Sequence, residues 1–305
     1  MLLAIVISIV SLIVLLVASD WFIDSSEKIG LSLGISPFII GVTIVAFGTS
    51  LPELATSIAS VYRGASEFVV GNVIGSNITN ILLVLGLTVF VGKEIKLEFN
   101  IWNIDMPLLL GSAFLMFFAL QDQHISPVEC GIFLVALVAF LINSVSGSEG
   151  HDEETPKIRL MDIIRLIIGG VFVFLGAKWT IYGIVEVSKL AGIGAEIISL
   201  SFVALGTSLP EVAVSMAAAK KGKHAIAVGN VLGSNIFNTY AVMAIPSFFG
   251  NLIIPDNILS LSLPFMLAVT VLFGAITMSR KITFWEGIML LLLYVFYMTE
   301  LFKNI

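Results

Sequence analysis

The chain has 305 residues, 58% of them hydrophobic and only 12% charged, and its mean hydropathy is +1.08. Soluble domains carry about 25% charged residues, so this chain has too little charge to cover a water-soluble surface, and it reads as a polytopic membrane protein. The net charge of −6 brings no basic patch for nucleic acid, the single Cys130 excludes an internal disulfide or a thiolate metal cage, and His124, His151 and His224 all lie beside polar, loop-like stretches.

In chain order, a first span covers residues 2–19, eighteen positions without a charge, close to the roughly 20 that a bilayer-crossing helix needs. It lacks the basic start and short apolar run of a signal peptide, and it takes part in the repeat below, so it is read as a retained span. Further spans are predicted at 36–62, 67–91, 103–121 and 126–145. An acidic linker follows at 146–157, with Glu149, Asp152, Glu153, Glu154 and Pro156. Five more spans are predicted at 160–188, 194–219, 224–249, 258–279 and 284–302. The fold class is therefore all-α, with ten transmembrane helices.

Lys and Arg concentrate on one side of this arrangement. Lys28, Lys93, Lys96, Lys157, Arg159, Lys220, Lys221, Lys223, Arg280 and Lys281 fall there, against Arg63, Lys189 and Lys303 opposite. The excess marks the cytoplasmic side, so the linker is expected inside and both termini outside.

The chain also repeats itself. Ala46-Phe47-Gly48-Thr49-Ser50-Leu51-Pro52-Glu53 returns as Ala204-Leu205-Gly206-Thr207-Ser208-Leu209-Pro210-Glu211. Gly71-Asn72-Val73-Ile74-Gly75-Ser76-Asn77-Ile78-Thr79-Asn80 returns as Gly229-Asn230-Val231-Leu232-Gly233-Ser234-Asn235-Ile236-Phe237-Asn238. Both pairs are offset by 158 residues, as are Trp21 and Trp179, Gly34 and Gly192, and Ile39-Ile40 and Ile197-Ile198. The halves are 1–145 and 158–305, each with five spans. An odd number sends the second half in from the opposite face, which makes an inverted repeat of the kind many secondary transporters use.

The repeated positions are polar, and their chemistry suits a hard cation. Pro52 and Pro210 lack an N–H, so helices 2 and 7 are expected to break or kink and free the carbonyls of Gly48 and Gly206. Such backbone survives at membrane depth only inside protein or beside a cavity. The hydroxyls of Thr49, Ser50, Thr207 and Ser208 add oxygen. Glu53 and Glu211 follow the prolines, and an unpaired carboxylate in an apolar span costs several kcal/mol. No Lys or Arg stands in the motifs, so a cation is the expected partner; burial as protonated acids is the alternative.

Asn72, Ser76 and Asn80 share a helix face, as do Asn230, Ser234 and Asn238, and the Gly-x-x-x-Gly pairs allow close helix approach. Ser76, Asn80, Ser234 and Asn238 read as site residues, whereas Asn72 and Asn230 read equally as ligands or as helix-joining hydrogen bonders. An all-oxygen set suits Ca²⁺ or Na⁺ better than Mg²⁺ or a soft transition metal. One Ca²⁺ neutralises two carboxylates and several Na⁺ could share the same oxygens, so the ions would compete. Protons are the other counter-ion that carboxylates could take, and a channel would use the same oxygens without one. A hydrolase would need a base beside Ser50 or Ser208, and no His lies in the interior of any span. Glu129 and Glu286 are read as helix N-terminal acids, and Asp20 and Lys178, at equivalent positions, receive no role.

The two motifs, G-[TS]-S-x-P-E and G-N-x-x-G-S-N-x-x-N, resemble the α-repeats of the Ca²⁺/cation antiporter superfamily, most closely its sodium/calcium exchangers, over nearly the whole chain. The resemblance implies an antiporter, not an enzyme, without a cofactor, carrying Na⁺ and Ca²⁺ and needing no protein partner beyond the lipid bilayer. It implies ion contacts from Ala46, Thr49, Ser50, Glu53, Ser76 and Asn80, and from Ala204, Thr207, Ser208, Glu211, Ser234 and Asn238, the two alanines through their carbonyls. It also implies that the first and sixth spans slide against the rest. Some K⁺-dependent and prokaryotic relatives have Asp where this chain has Asn238, which argues against K⁺ co-transport. The proton/calcium branch carries a G-N-A-x-E motif that is absent here, so Na⁺ coupling is expected. A dozen residues replace the regulatory domain of animal exchangers.

Overall fold

The computed structural model describes residues 2–97, 100–103, 105–146, 157–190, 206–256 and 258–303. Most are helical, since a backbone in hydrocarbon must satisfy its own N–H and C=O groups and a helix does so within one segment. The first half holds α1 (Leu2–Ser32), α2 (Pro37–Tyr62), α3 (Glu67–Gly92), α4 (Asp105–Ala119) and α5 (Pro127–Ser146). The second holds α6 (Leu160–Leu190), α7 (Leu209–Lys220), α8 (His224–Phe237), α9 (Met243–Ser247), α10 (Ile258–Thr277) and α11 (Phe284–Lys303). Among the described residues seven helices are long and apolar enough to cross a membrane: α1, α2, α3, α5, α6, α10 and α11. Most of the expected linker, the first part of the seventh span, and Gly192, Ile197 and Ile198 lie outside the described residues.

The repeat is written into the element boundaries. Helices α1 and α6 are each 31 residues long and begin 158 residues apart. A π-type turn at Asn80–Val84 inside α3 returns at Asn238–Val242 between α8 and α9. Helices α2 and α7 end alike: Gly64 (φ +73°) and Gly222 (φ +72°) take the left-handed conformation. Ala65 N then donates to Ser60 O, and Lys223 N to Ala218 O, closing two Schellman caps that a side chain with Cβ would strain.

Helices α1 and α6 pack antiparallel along their length. Leu15 meets Gly176, Phe22 meets Gly169, and Thr180 Oγ1 donates to Ser11 Oγ at 3.0 Å. Their outer faces are apolar and exposed, with Leu12 and Ile13 on α1 and Ile167 and Phe172 on α6. Helix α8 is almost entirely buried and lies against α2 at backbone contact. A Cβ on Gly229 would sit 2.5 Å from Phe38 O, and one on Gly233 would meet the Val42 carbonyl still more closely, so the close approach expected of Gly229 and Gly233 is realised. Gly71 and Gly75 have no such backbone contact among the described residues.

The basic loops gather at one end. Strands β1 (Glu94–Lys96) and β2 (Lys281–Thr283) pair antiparallel there. Lys28 bonds Asp162 at 2.7 Å, and Lys221 pairs with Asp20 at 3.0 Å and Asp24 at 2.8 Å. Lys223 pairs with Asp24 at 2.6 Å and Glu27 at 2.8 Å. Its partial burial favours the neutral amine, but the two carboxylates outweigh this and hold the ammonium above its ordinary pKa. At the other end Ser66 Oγ accepts from Ile253 N at 3.2 Å, and Gln123 bonds Asp256.

Glu129 and Glu286 do the structural work expected of them. Glu129 accepts from Ser126 N at 2.8 Å and Glu286 from Thr283 N at 2.6 Å, each in a capping box at a helix start.

Of the break or kink expected in helix 2, a break does not occur at Pro52. The α-helical stretch Ala46–Tyr62 runs through Pro52 without interruption, and the irregular turn lies before it, at Gly41–Val45. Proline removes one hydrogen bond, and the flanking bonds of the helix hold the remainder together. In the second half a helix starts inside the motif. Thr207 and Ser208 form a turn, Ser208 (φ −85°, ψ 2°) caps α7, and Pro210 sits in its first turn, where its missing N–H costs nothing.

Candidate functional site

The polar motifs of the two halves meet between α2, α3, α7 and α8. Thr49 Oγ1 donates to Asn230 Oδ1 at 3.1 Å, and Thr207 Oγ1 donates to Asn72 Oδ1 at 3.1 Å. Each bond is the other shifted by the repeat offset. The same holds for the hydroxyl pairs Thr49 with Ser234 (3.5 Å) and Thr207 with Ser76 (3.3 Å). This reciprocity is what a two-fold relation between two similar units produces.

The acids lie in the middle of this network. Glu53 is 1% exposed and Glu211 fully buried, and Glu211 is near enough to repel Glu53 electrostatically. Ser50 Oγ donates to Glu211 Oε1 at 3.2 Å, a bond from one half to the other. Among the described residues both oxygens of Glu53, Oε2 of Glu211, Oδ1 of Asn80, Oδ1 of Asn238 and Oγ of Ser208 are buried without a hydrogen-bond partner. Leaving one buried polar atom unpaired costs about 1–3 kcal/mol, and more for a charge. None of the ion pairs among the described residues involves either glutamate. So many acceptors with so few donors form a place for positive charge, and their hardness suits an alkali or alkaline-earth ion.

The structure brings together Thr49, Ser50, Glu53, Ser76, Thr207, Glu211 and Ser234 through these contacts. Ala46 is buried, and its carbonyl lies 3.3 Å from Thr49 Oγ1, a longer contact than the bond to Asn230 that takes the hydroxyl's single proton. Asn80 Nδ2 donates to Asn235 Oδ1 at 3.1 Å, while both amide atoms of Asn238 are unpartnered among the described residues. Ala204 lies outside the described residues. Asp20 pairs with Lys221 at the loop end, away from this network, and Lys178 is exposed with no ion pair among the described residues.

The family model described as "Sodium/calcium exchanger protein" matches this chain twice, over residues 3–145 and 161–303. The chain belongs to the sodium/calcium exchanger family. That family is one of transporters, not enzymes, and it moves ions without a cofactor. The two matched segments begin 158 residues apart, so the family's unit is the half, and this exchanger-family chain holds two. It is 32% identical to the sodium/calcium exchanger MaX1 of Methanosarcina acetivorans, over 95% of this chain and 96% of that protein. It is 31% identical to the inner membrane protein YrbG of Escherichia coli, over 92% and 90%. A solved structure of the sodium-calcium exchanger NCX_Mj, soaked with Na⁺ and Sr²⁺, superposes with a TM-score of 0.86 at 32% identity, covering 98% of each chain.

Sequence reasoning passed over several members of the network. Ser57 and Ser215 accept from Asn72 and Asn230, and Asn77 donates to Thr239 Oγ1 at 3.0 Å. A signal for the two serines was present: each stands four residues after its half's glutamate and so on the same helix face.

Proposed function

We propose that this chain exchanges Na⁺ for Ca²⁺ across a cell membrane by alternating access, extruding Ca²⁺ down the energy of the Na⁺ gradient. The observation that carries the reading is the pair of buried glutamates, Glu53 and Glu211, surrounded by oxygen atoms and without a protein cation among the described residues. The ion contacts are Ala46, Thr49, Ser50, Glu53, Ser76 and Asn80 with Ala204, Thr207, Ser208, Glu211, Ser234 and Asn238. One Ca²⁺ balances the two carboxylates, and Na⁺ takes the same oxygens in its place, so each ion must leave before the other binds. Asn238, neutral where some relatives carry Asp, leaves the site without a third charge and disfavours K⁺ as a further passenger.

The architecture proposed around the site is ten spans in two inverted halves, 1–145 and 158–305, joined by a cytoplasmic linker at 146–157. Both termini face outward, and the lipid bilayer is the only partner required. The gathering of the basic loops at one end of the helices supports this orientation, because Lys and Arg collect on the cytoplasmic side. In this arrangement the ion sits near mid-membrane between facing motifs, and sliding of the first and sixth spans against the remaining eight opens it to either side.

The test is Ca²⁺ uptake into proteoliposomes loaded with Na⁺, beside vesicles given only a pH gradient. Uptake is expected with internal Na⁺ and not with the pH gradient. Uptake driven by the pH gradient alone rejects Na⁺ coupling, and ion current without a counter-ion rejects antiport.

A further inference from the structure

We propose that Ser57 and Ser215 are positioning residues that set the direction of the Thr207 and Thr49 hydroxyl protons, acting through the side-chain amides of Asn72 and Asn230. The proposal rests on the cation-site reading above and says how its hydroxyl ligands are aimed.

Each serine lies one helical turn after a glutamate and is fully buried. Asn72 Nδ2 donates to Ser57 Oγ at 3.2 Å, and Asn230 Nδ2 donates to Ser215 Oγ at 2.9 Å. A carboxamide has a donating edge and an accepting edge, and its neighbours decide which edge points where. With the NH₂ on the serine of its own half, each amide turns its oxygen toward the other half. There the oxygen of Asn72 accepts the Thr207 proton, and the oxygen of Asn230 accepts the Thr49 proton, both at 3.1 Å, the Ala46 carbonyl at 3.3 Å being the more distant acceptor for Thr49.

A hydroxyl has one proton and two lone pairs. Once its proton is committed to the amide, a threonine can offer only lone pairs to its remaining neighbours, which is what a cation needs. If the amide were turned over, its NH₂ would take a threonine lone pair and the hydroxyl proton would swing toward the site. Positive hydrogen would then face positive ion. Ser57 and Ser215 therefore govern the polarity of a ligand two hydrogen bonds away. The same order, serine to asparagine to threonine across the halves, occurs twice on different chain segments. This also bears on the choice left open for Asn72 and Asn230. Both edges of each amide are engaged by protein, which gives Asn72 and Asn230 an orienting role in this network.

The experiment measures Ca²⁺ binding to the purified full-length chain by calorimetry in Na⁺-free buffer, then repeats it with Na⁺ as competitor. Ser57→Ala and Ser215→Ala are each expected to weaken Ca²⁺ binding about tenfold, the scale of one hydrogen bond, with little change in melting temperature. Ser57→Thr and Ser215→Thr, which keep the hydroxyl, are expected to restore it. Asn230→Asp keeps an acceptor toward Thr49 while Ser215 turns to donate, so it is expected to bind Ca²⁺ at least as tightly as the wild-type chain. Asn230→Ala is expected to bind less tightly. Unchanged affinity in both alanine variants overturns the proposal, as does equal weakening by Thr and Ala, or by Asp and Ala. A wild-type chain that binds Ca²⁺ without Na⁺ competition rejects the antiport reading and leaves the serine comparison readable. No Ca²⁺ binding at all overturns both.

Discussion

Gly48 to Glu53 and Gly206 to Glu211 are the same six residues in the same order, yet the chain folds them differently. The first copy lies within a continuous helix that carries Pro52 in its interior. The second is a turn at Thr207 and Ser208 that caps a new helix, with Pro210 in its first turn. The hydrogen bonds differ accordingly. Ser50 reaches across to Glu211, whereas its counterpart Ser208 has no partner among the described residues. One sequence thus supports two backbone states, and tertiary surroundings choose between them.

The largest expected effect tests where the comparison fails to matter. Glu53→Gln and Glu211→Gln are each expected to lower Na⁺-driven Ca²⁺ flux in proteoliposomes by about a hundredfold or more, because loss of a buried charge partner costs about 3 kcal/mol or more. Full flux in either variant would remove that residue from the site, whatever its backbone does.

The prolines separate the halves. An interior proline costs a helix about 3 kcal/mol, whereas one in the first turn costs almost nothing. Pro52→Ala is therefore expected to raise the melting temperature by about 5 °C and to slow exchange by stiffening α2, while Pro210→Ala shifts it by less than about 2 °C. Equal shifts would mean that the two copies share one backbone state in solution.

Smallest are the surface charges, which also break the symmetry. Asp20 pairs with Lys221, but the positions equivalent to them are Lys178 and Arg63, which lack an ion pair among the described residues. Exposed pairs contribute at most about 1 kcal/mol each. Replacing Lys221 and Lys223 together by Gln is expected to lower the melting temperature by about 2 °C, and by less in high salt, whereas Lys178→Gln leaves it unchanged.

Much of this molecule is legible in the residues. The spans read as 2–19 and 160–188 are unequal, yet α1 and α6 have the same length, and Gly64 and Gly222, which stand at the repeat offset, close matching Schellman turns, because the same local signals at the same spacing build the same elements. Capping at Ser126 with Glu129 and at Thr283 with Glu286 is equally local. The position of the acids is legible too, since an unpaired carboxylate has few places to go in an apolar span. The roles of Asn72 and Asn230 are not legible, because each depends on a threonine more than 130 residues away in the other half. The uninterrupted helix through Pro52 is hidden for the opposite reason: propensity speaks for a break, and the flanking hydrogen bonds of the helix hold across it.

What the sequence determined by itself was composition-driven and local. Sparse charge required a membrane setting, motifs repeated at one offset required two related halves, and oxygen-bearing side chains within the spans called for a hard cation. Tertiary structure alone decided which of two identical motifs stays helical and which becomes a turn. It also decided which hydroxyl gives its proton to which amide. Both choices depend on contacts between the halves, and a local stretch of chain carries no record of the partner it will meet.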